Sequence, residues 1–379
     1  MIFWEKGVVR AIIEDDDQIQ RLEVEEESTG YIAQALHYPR LLGWARVGDQ
    51  VWLNTTAVKM GLGTGGYHFV AGWVERAPEA LPTGGHIMKL RYTPWQLAVL
   101  AGEEKKSSYH DLMKRVTSLD HAPVVIGELH SLLPIIVANW QSLSKTTGVQ
   151  PRIVYVMTDG GALPLALSQH VRQLRQMNWL TATVTVGHAF GGDIEAVNPY
   201  SGLLLARHAL QADLIVVVMG PGIVGTETPF GYTGVEQGEW INAVHNLGGI
   251  PVAVPRIQGN DSRERHRGFS HHTITNLNRI ALVPAVVPIP ADVGELEPLL
   301  SQQRQRITRS HHWVSISLTA EEVKQRLSSY PQEIRTMGRS FSDDPLYFMS
   351  ASAAAEAAWR LWIKLKDNVS LEEVLLDLQ

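Results

Sequence analysis

The chain has no cysteine among its 379 residues. Disulfides, thiolate metal sites, iron–sulfur clusters and cysteine nucleophiles are thereby excluded. A reducing cytosol fits that absence. No apolar run approaches the ~20 residues needed to span a bilayer. The opening residues, Met1-Ile-Phe-Trp-Glu-Lys6, lack a basic start and an apolar stretch, and Glu14-Asp-Asp-Asp17 follows soon after, so no signal peptide is expected. Charge is modest, with a formal net value of -6. That argues against a general binder of nucleic acid or of an anionic membrane. Also missing are a G-x-S-x-G elbow, a phosphate-loop lysine and an H-E-x-x-H helix. The familiar hydrolase, kinase and zincin mechanisms are left without support. These absences together predict a soluble cytoplasmic protein with neither nucleic-acid nor membrane partners.

What is present is ample apolar material, 45% of residues, enough for a large core. The length suggests two domains, or one large and one small. Residues 1 to about 75 read as β-rich. Val8 to Ile13, Gln20 to Glu25 and Gln50 to Asn54 are short strand-like runs, separated by turn residues such as Val47-Gly-Asp49 and Gly61 to Gly66. This predicts a small antiparallel barrel or sandwich over 1–78, with Val8, Ile12, Leu22, Val24, Val51 and Leu53 as its core. Gly63-Thr-Gly-Gly66 superficially suggests a phosphate loop, but no lysine follows and no helix begins, so an inter-strand loop is the better reading. Residues 77–85, rich in proline and glycine, read as a linker to a second domain over 86–379.

From about residue 120 apolar runs recur at 123–127, 152–157, 181–187, 213–219, 250–254 and 281–288. Segments with helical spacing lie between them; Leu163, Leu167, Val171, Leu174 and Met177, for example, share one face. Strand and helix in alternation predict an α/β fold: a Rossmann-like three-layer parallel sheet of about six or seven strands, beside the small N-terminal β-rich barrel-like domain. His311 to Ser317 adds a candidate edge strand, and His311-His312 reads as surface. Residues 320–328 and 345–366 read as helices, and 371–379 as a short helix or a frayed end.

In a parallel sheet the loops after each strand emerge on one edge, where open α/β proteins bind ligands. That edge would gather Glu128, His130, Asp159, His188, Asp193, Glu195, Glu227, Glu236 and the 263–272 segment. The most informative stretch runs from Met219 to Gly238, with six glycines and two prolines. Gly220-Pro-Gly-Ile-Val-Gly225 matches G-x-G-x-x-G, but 226–234 interposes a loop before any helix, unlike a dinucleotide fingerprint. Arg256 keeps a reading with a 2′-phosphate open. The alternative is a backbone cradle for a small ligand, made by Gly220, Gly222, Gly225 and Thr226, and a further one is a tight turn without ligand. Arg263-Glu-Arg-His-Arg-Gly-Phe-Ser-His-His272 puts three arginines and three histidines just ahead of a helical segment for which Ser270 is a natural N-cap. Arg263, Arg265 and Arg267 with Ser270 are candidates for binding a small anionic ligand, a phosphate or carboxylate. A solvated basic turn is the plainer option. A metal held by His266, His271 or His272 with Asp193 or Glu195 is a weaker option, since adjacent histidines normally point to different faces. His188, Asp193 and Glu195, with Asp159, are the candidate acid–base groups.

Several of these motifs together resemble a bacterial family, domain of unknown function 3866. The resemblance rests on Val47-Gly-Asp49 with Leu53-Asn-Thr55, Met157-Thr-Asp-Gly160 and Gly187-His-Ala-Phe-Gly-Gly-Asp193 through Asn198. It rests further on Met219 to Thr226, Arg265 to His272 and Thr336-Met-Gly-Arg339. It implies no particular activity and assigns no catalytic residue. The glycine-rich loop also resembles subunits of amino-acid reductases that cleave glycine or proline. Those depend on selenocysteine or a cysteine-derived pyruvoyl group, chemistry not available to a chain without cysteine. The reading is therefore an enzyme of unassigned reaction that binds a small anion, with cofactor unknown and a homo-oligomer possible. The rival is a non-catalytic metabolite-sensing or protein-interaction module.

Overall fold

A computed structural model describes residues 1–63, 65–79, 84–367 and 373–374. Thr64, residues 80–83 of the expected linker, and all but two residues of the expected 371–379 terminal segment lie outside the described residues. The chain forms two compact units, Met1–Val99 and Leu100–Gln379.

The first unit is a closed barrel of β1 (Trp4–Asp15), β2 (Gln20–Glu26), β3 (Ile32–His37), β4 (Gln50–Asn54) and β5 (His68–Trp73). The order β1-β2-β3-β5-β4 departs from the antiparallel expectation at one seam, because β3 and β5 pair in parallel. Val9, Leu22, Val24, Val51, Leu53, Val70 and Trp73 fill the interior. Val9 takes the place expected for Val8: the ladder with β2 shifts between Val9 and Ala11, and such a bulge moves side chains between faces. A two-stranded ladder, β6 (Ile87–Lys89) with β7 (Leu97–Val99), completes the unit.

The second unit is built on eight parallel strands, one or two more than expected. In chain order the large strands are β8 (Pro123–Ile126), β9 (Ile153–Met157), β10 (Ala182–Val186), β11 (Ile194–Ala196), β12 (Leu214–Val218) and β13 (Ile250–Ala253). A small ribbon, β14 (Ile257–Gln258) with β15 (Gly268–Phe269), precedes β16 (Val286–Pro290) and β17 (His312–Ile316). The sheet order is β11-β10-β9-β12-β8-β13-β16-β17. Period-two alternation feeds two cores. Val125, Tyr155 and Val216 face one side, and Val124, Val154 and Ile215 the other. The first side is covered by helices Leu132–Thr147 and Pro345–Lys366, the second by Pro199–Leu204 and Glu236–Asn246. Helices on both faces make the three-layer Rossmann-like α/β architecture expected.

The Pro345–Lys366 helix is buried almost all round, as its alanines allow. Trp140 donates its Nε1–H to the Ala355 carbonyl at 2.9 Å and packs on Trp359 and Trp362. His311 is not simply surface: its Nε2 lies 2.8 Å from the Leu277 carbonyl. Among the described residues no helix is long and apolar enough to cross a membrane.

Candidate functional site

Strands β8 and β12 are neighbours, yet their following helices pack on opposite faces of the sheet. Their C-terminal ends therefore flank a crevice, the position where doubly wound sheets bind ligands. Gly127-Glu128 leaves β8 there and Met219-Gly220 leaves β12. The connection tolerates little bulk. A side chain on Gly127 would sit 2.3 Å from Leu132 Cδ1, and one on Gly220 would sit 2.9 Å from Leu163 Cδ1. Gln237, buried, donates to the last carbonyls around two strands, Ile126 O and Val254 O, both at 2.9 Å. His130 is half-buried. Its Nδ1 lies 3.1 Å from the Met219 carbonyl and its Nε2 2.6 Å from Ser168 Oγ, while burial pushes its pKa down to about 3.

After β13 the chain folds back on itself. The β14–β15 ribbon returns it, so that Ser270 N–H donates to Arg256 O at 2.9 Å and Arg256 N–H donates to Thr273 Oγ1 at 2.9 Å. Ser270 caps the helix His271–Thr275 as expected, accepting from His272 N–H at 3.2 Å. That helix continues as a π-helical turn, Asn276–Ile280, a feature frequent near functional sites. Asn276 ties it to the glycine-rich loop by bonding Gly234 O at 3.0 Å and by accepting from Tyr232 Oη at 2.6 Å.

These elements enclose a cleft of 290 Å³ lined in part by Ile223, Val224, Arg256, Arg263, Arg265 and the histidines 266, 271 and 272. Its floor is charged. Glu128, 1% exposed, meets Arg256 Nη1 at 3.2 Å and His272 Nδ1 at 3.2 Å. Burial would raise the Glu128 carboxyl, but His272 and Arg256 outweigh it and hold its pKa below the usual value. Arg263 grips Asp261 with two bonds, 3.0 and 2.9 Å, and Arg339 adds a third at 2.7 Å. Burial opposes ionisation of Asp261, yet these hydrogen bonds keep its pKa low. Arg265 pairs with the exposed Glu227 at 2.7 Å. Two buried donors facing this network have no hydrogen-bond partner, Arg256 Nη2 and Arg265 Nε.

The three imidazoles converge. Potential ligand atoms of His266, His271 and His272 all lie within 4.8 Å of one another. The expectation that adjacent histidines diverge does not hold, because both sit on the first turn of a helix whose start is pinned by Ser270. Tyr232 stacks flat on His272 at 3.7 Å, and His266 Nδ1 is 2.8 Å from Ser270 Oγ. Burial first, then the neighbouring arginines, pushes His266 down to about 3, and burial with His272 pushes His271 down to about 4. Those two rings, His266 and His271, are therefore held toward the neutral form.

The other candidates sort differently. Gly222 adopts a φ of +111° with open space on its Cβ side, whereas Gly225 pairs with Tyr232 across a small hairpin. Thr226 closes that hairpin through Gly231 O, with both its N–H (2.8 Å) and its hydroxyl (2.9 Å) donating. Arg267 lines an adjoining cavity of 550 Å³ with Phe269, Leu299 and Gln303, not the histidine cleft. Arg256, 3% exposed, bonds Gln258 Oε1 at 2.7 Å and Glu128 Oε1 at 3.2 Å and lines the cleft from below.

The expected acid–base set is not brought together. His188 and Asp159 do lie at the C-terminal edge, where Asp159 Oδ2 accepts from His188 N–H at 2.8 Å. Asp193 sits level with the start of β10, bound by Thr183 N–H and hydroxyl at 2.8 Å and by Arg175 at 2.7 Å. Glu195 is within β11, accepting from Thr185 Oγ1 at 2.5 Å and Gly191 N–H at 2.8 Å. The loop from 187 runs back down the sheet to start a parallel strand, and both carboxylates fasten that return. None of these four residues lines the cleft. β10 stands four strands from β13 in the sheet order, about 19 Å at the usual inter-strand spacing.

Sequence reasoning undervalued Arg256, Gln237 and Asn276. Their signal was weak, a polar residue just past an apolar strand or inside a helix. No curated protein matches the chain. The family described as "Protein of unknown function (DUF3866)" matches residues 34–355, most of the sequence, and the chain belongs to that family.

Proposed function

We propose that the chain binds a small anionic ligand, a phosphate or carboxylate, in the 290 Å³ cleft, as a cytoplasmic enzyme of unassigned reaction. One observation carries this reading. Arg256 Nη2 and Arg265 Nε are buried donors without acceptors, and both side chains line the same cleft. A buried donor left unmade costs about 1–3 kcal/mol. An oxyanion supplies two or more acceptors at once, and guanidinium planes favour such forked partners. The glycine-rich loop forms one wall through Ile223, Val224 and Gly225. Neither nucleic acid nor membrane fits a cleft this small.

A second reading, a non-catalytic sensing or interaction module, has its own support. Asp193 and Glu195 are occupied in fastening β11, which leaves the cleft without the carboxylates expected for acid–base work.

Thermal melts of the full chain in phosphate and in small carboxylates test the binding reading. A ligand bound only by the folded state adds RT ln(1 + [L]/Kd), about 2.7 kcal/mol at 100-fold over Kd. Arg265→Ala should remove that gain. Its Nη2 pairs with a Glu227 that is 73% exposed, so the variant should itself fold. Absence of any gain in the parent protein with either class of anion would overturn the proposal.

A further inference from the structure

We infer that His266, His271 and His272 form a binding site for one zinc-like divalent transition metal ion. The inference goes beyond anion binding and does not depend on it. Three imidazoles are the donor set of open zinc sites, which keep a fourth position for water or ligand. Imidazole suits zinc, nickel, copper and iron(II), and the absence of thiolates leaves nitrogen and oxygen donors alone.

The geometry is close to what such an ion needs. The ligand atoms lie within 4.8 Å of one another, and nitrogens on a tetrahedral ion with ~2.0–2.1 Å bonds stand roughly 3.4 Å apart. Small side-chain rotations close that difference. The ring centroids are already 5.0, 5.2 and 4.3 Å apart.

The surroundings resemble those that orient metal-bound histidines. Such rings give their second nitrogen to a carboxylate, hydroxyl or carbonyl. His266 Nδ1 meets Ser270 Oγ at 2.8 Å, which leaves Nε2 for the cleft. His272 Nδ1 stands 3.2 Å from Glu128 Oε2, yet neither atom makes a hydrogen bond in this arrangement. A modest turn of the His272 ring would satisfy both. Tyr232, stacked on that ring at 3.7 Å, confines the turn to its own plane.

Nearby arginines do not forbid a dication. Arg256 meets Glu128 at 3.2 Å, Arg263 meets Asp261 at 2.9 Å and Arg265 meets Glu227 at 2.7 Å. Each of these three cations stands beside a carboxylate, Asp261 being shared with Arg339 at 2.7 Å, which offsets much of their charge.

The test is calorimetric titration of the chelator-treated full chain with Zn2+, in buffer free of phosphate and carboxylate. Co2+ then serves as a probe whose visible absorption reports low coordination number. One equivalent should bind, with the cobalt spectrum of a four- or five-coordinate site. His271→Asn, which keeps a polar group on the half-buried ring position, should weaken zinc at least ~100-fold. His266→Ala should do the same, and circular dichroism shows whether each variant is folded. No binding by the parent chain overturns the inference, and so does unchanged affinity in a folded His271→Asn protein. Anion-induced stabilisation measured with chelator present separates the two proposals. Its persistence without zinc binding leaves the anion reading standing alone, and zinc binding without any anion effect leaves the metal alone.

Discussion

Two loops of the second unit look alike in sequence and behave oppositely in the fold. The 187–195 loop and the 256–272 segment both join glycine to histidine and charged residues at the end of a buried strand. In the first, each carboxylate is met by groups of the adjoining strand, Thr183 for Asp193 and Thr185 for Glu195. In the second, a buried guanidinium and three imidazole rings line open space, and donors stay unmatched. Composition nominates both loops. Whether the polar atoms find partners inside the fold separates a fastening from a candidate site.

The sharpest way to break this contrast is at Glu195, 6% exposed. Glu195→Ala removes the acceptor of the Thr185 hydroxyl and of the Gly191 N–H, and it opens a cavity beside the shortest strand of the sheet. Roughly 4 kcal/mol of stability should be lost by urea denaturation. A loss below ~1 kcal/mol would mean that the carboxylate is dispensable to the fold and available for chemistry after all.

Next in size is Glu236, which accepts from the Thr158 hydroxyl at the same sheet edge. Burial, with Glu239 and Asp159 nearby, pushes its pKa up to about 7 against the Thr158 bond. A carboxyl whose folded pKa is raised favours folding fully below its unfolded pKa near 4.5. That contribution fades as pH rises from there through 7. Roughly 3 kcal/mol is at stake across the window. Glu236→Gln should therefore stabilise the protein at pH 8 and leave it nearly unchanged at pH 4.5. Denaturation curves at the two pH values check this, and equal effects at both would refute the buried-acid assignment.

The legibility of the fold follows from burial on two faces. Strands β8, β9, β12 and β13 appear as unbroken apolar runs because parallel strands covered on both sides have no polar face, and β10 interrupts its run only with the buried Thr183 and Thr185. β3 and β5 of the barrel, Ile-Ala-Gln-Ala-Leu-His and His-Phe-Val-Ala-Gly-Trp, mix polar and apolar residues with one face outward, so neither stood out. β11 has only three residues, too few for any period to show. The edge itself was legible, since topology sends every loop there. The grouping along the edge was not. His266 reaches His271 and His272 through a ribbon of two residues per strand, and Glu128 meets Arg256 across 128 residues of chain. Pairings of that range depend on strand order, and β12 lying between β9 and β8 is invisible in a one-dimensional pattern.

The smallest expected effect belongs to His188. Its backbone N–H, not its ring, makes the bond to Asp159 at 2.8 Å, and Gly187 before it holds a φ of +61° that shapes the turn. A side chain on Gly187 would meet Asp159 Oδ2 at 2.4 Å, so the turn depends on that glycine rather than on the imidazole. His188→Ala preserves both the backbone bond and the glycine. Its cost should be about 1 kcal/mol, the central value for a substitution that empties no core. Because the ring is not part of the histidine cleft, anion-induced stabilisation should also survive in the variant. Melting curves with and without phosphate read both effects at once. A lost anion response in a stably folded His188→Ala protein would join the two loops into one site and erase the contrast between them.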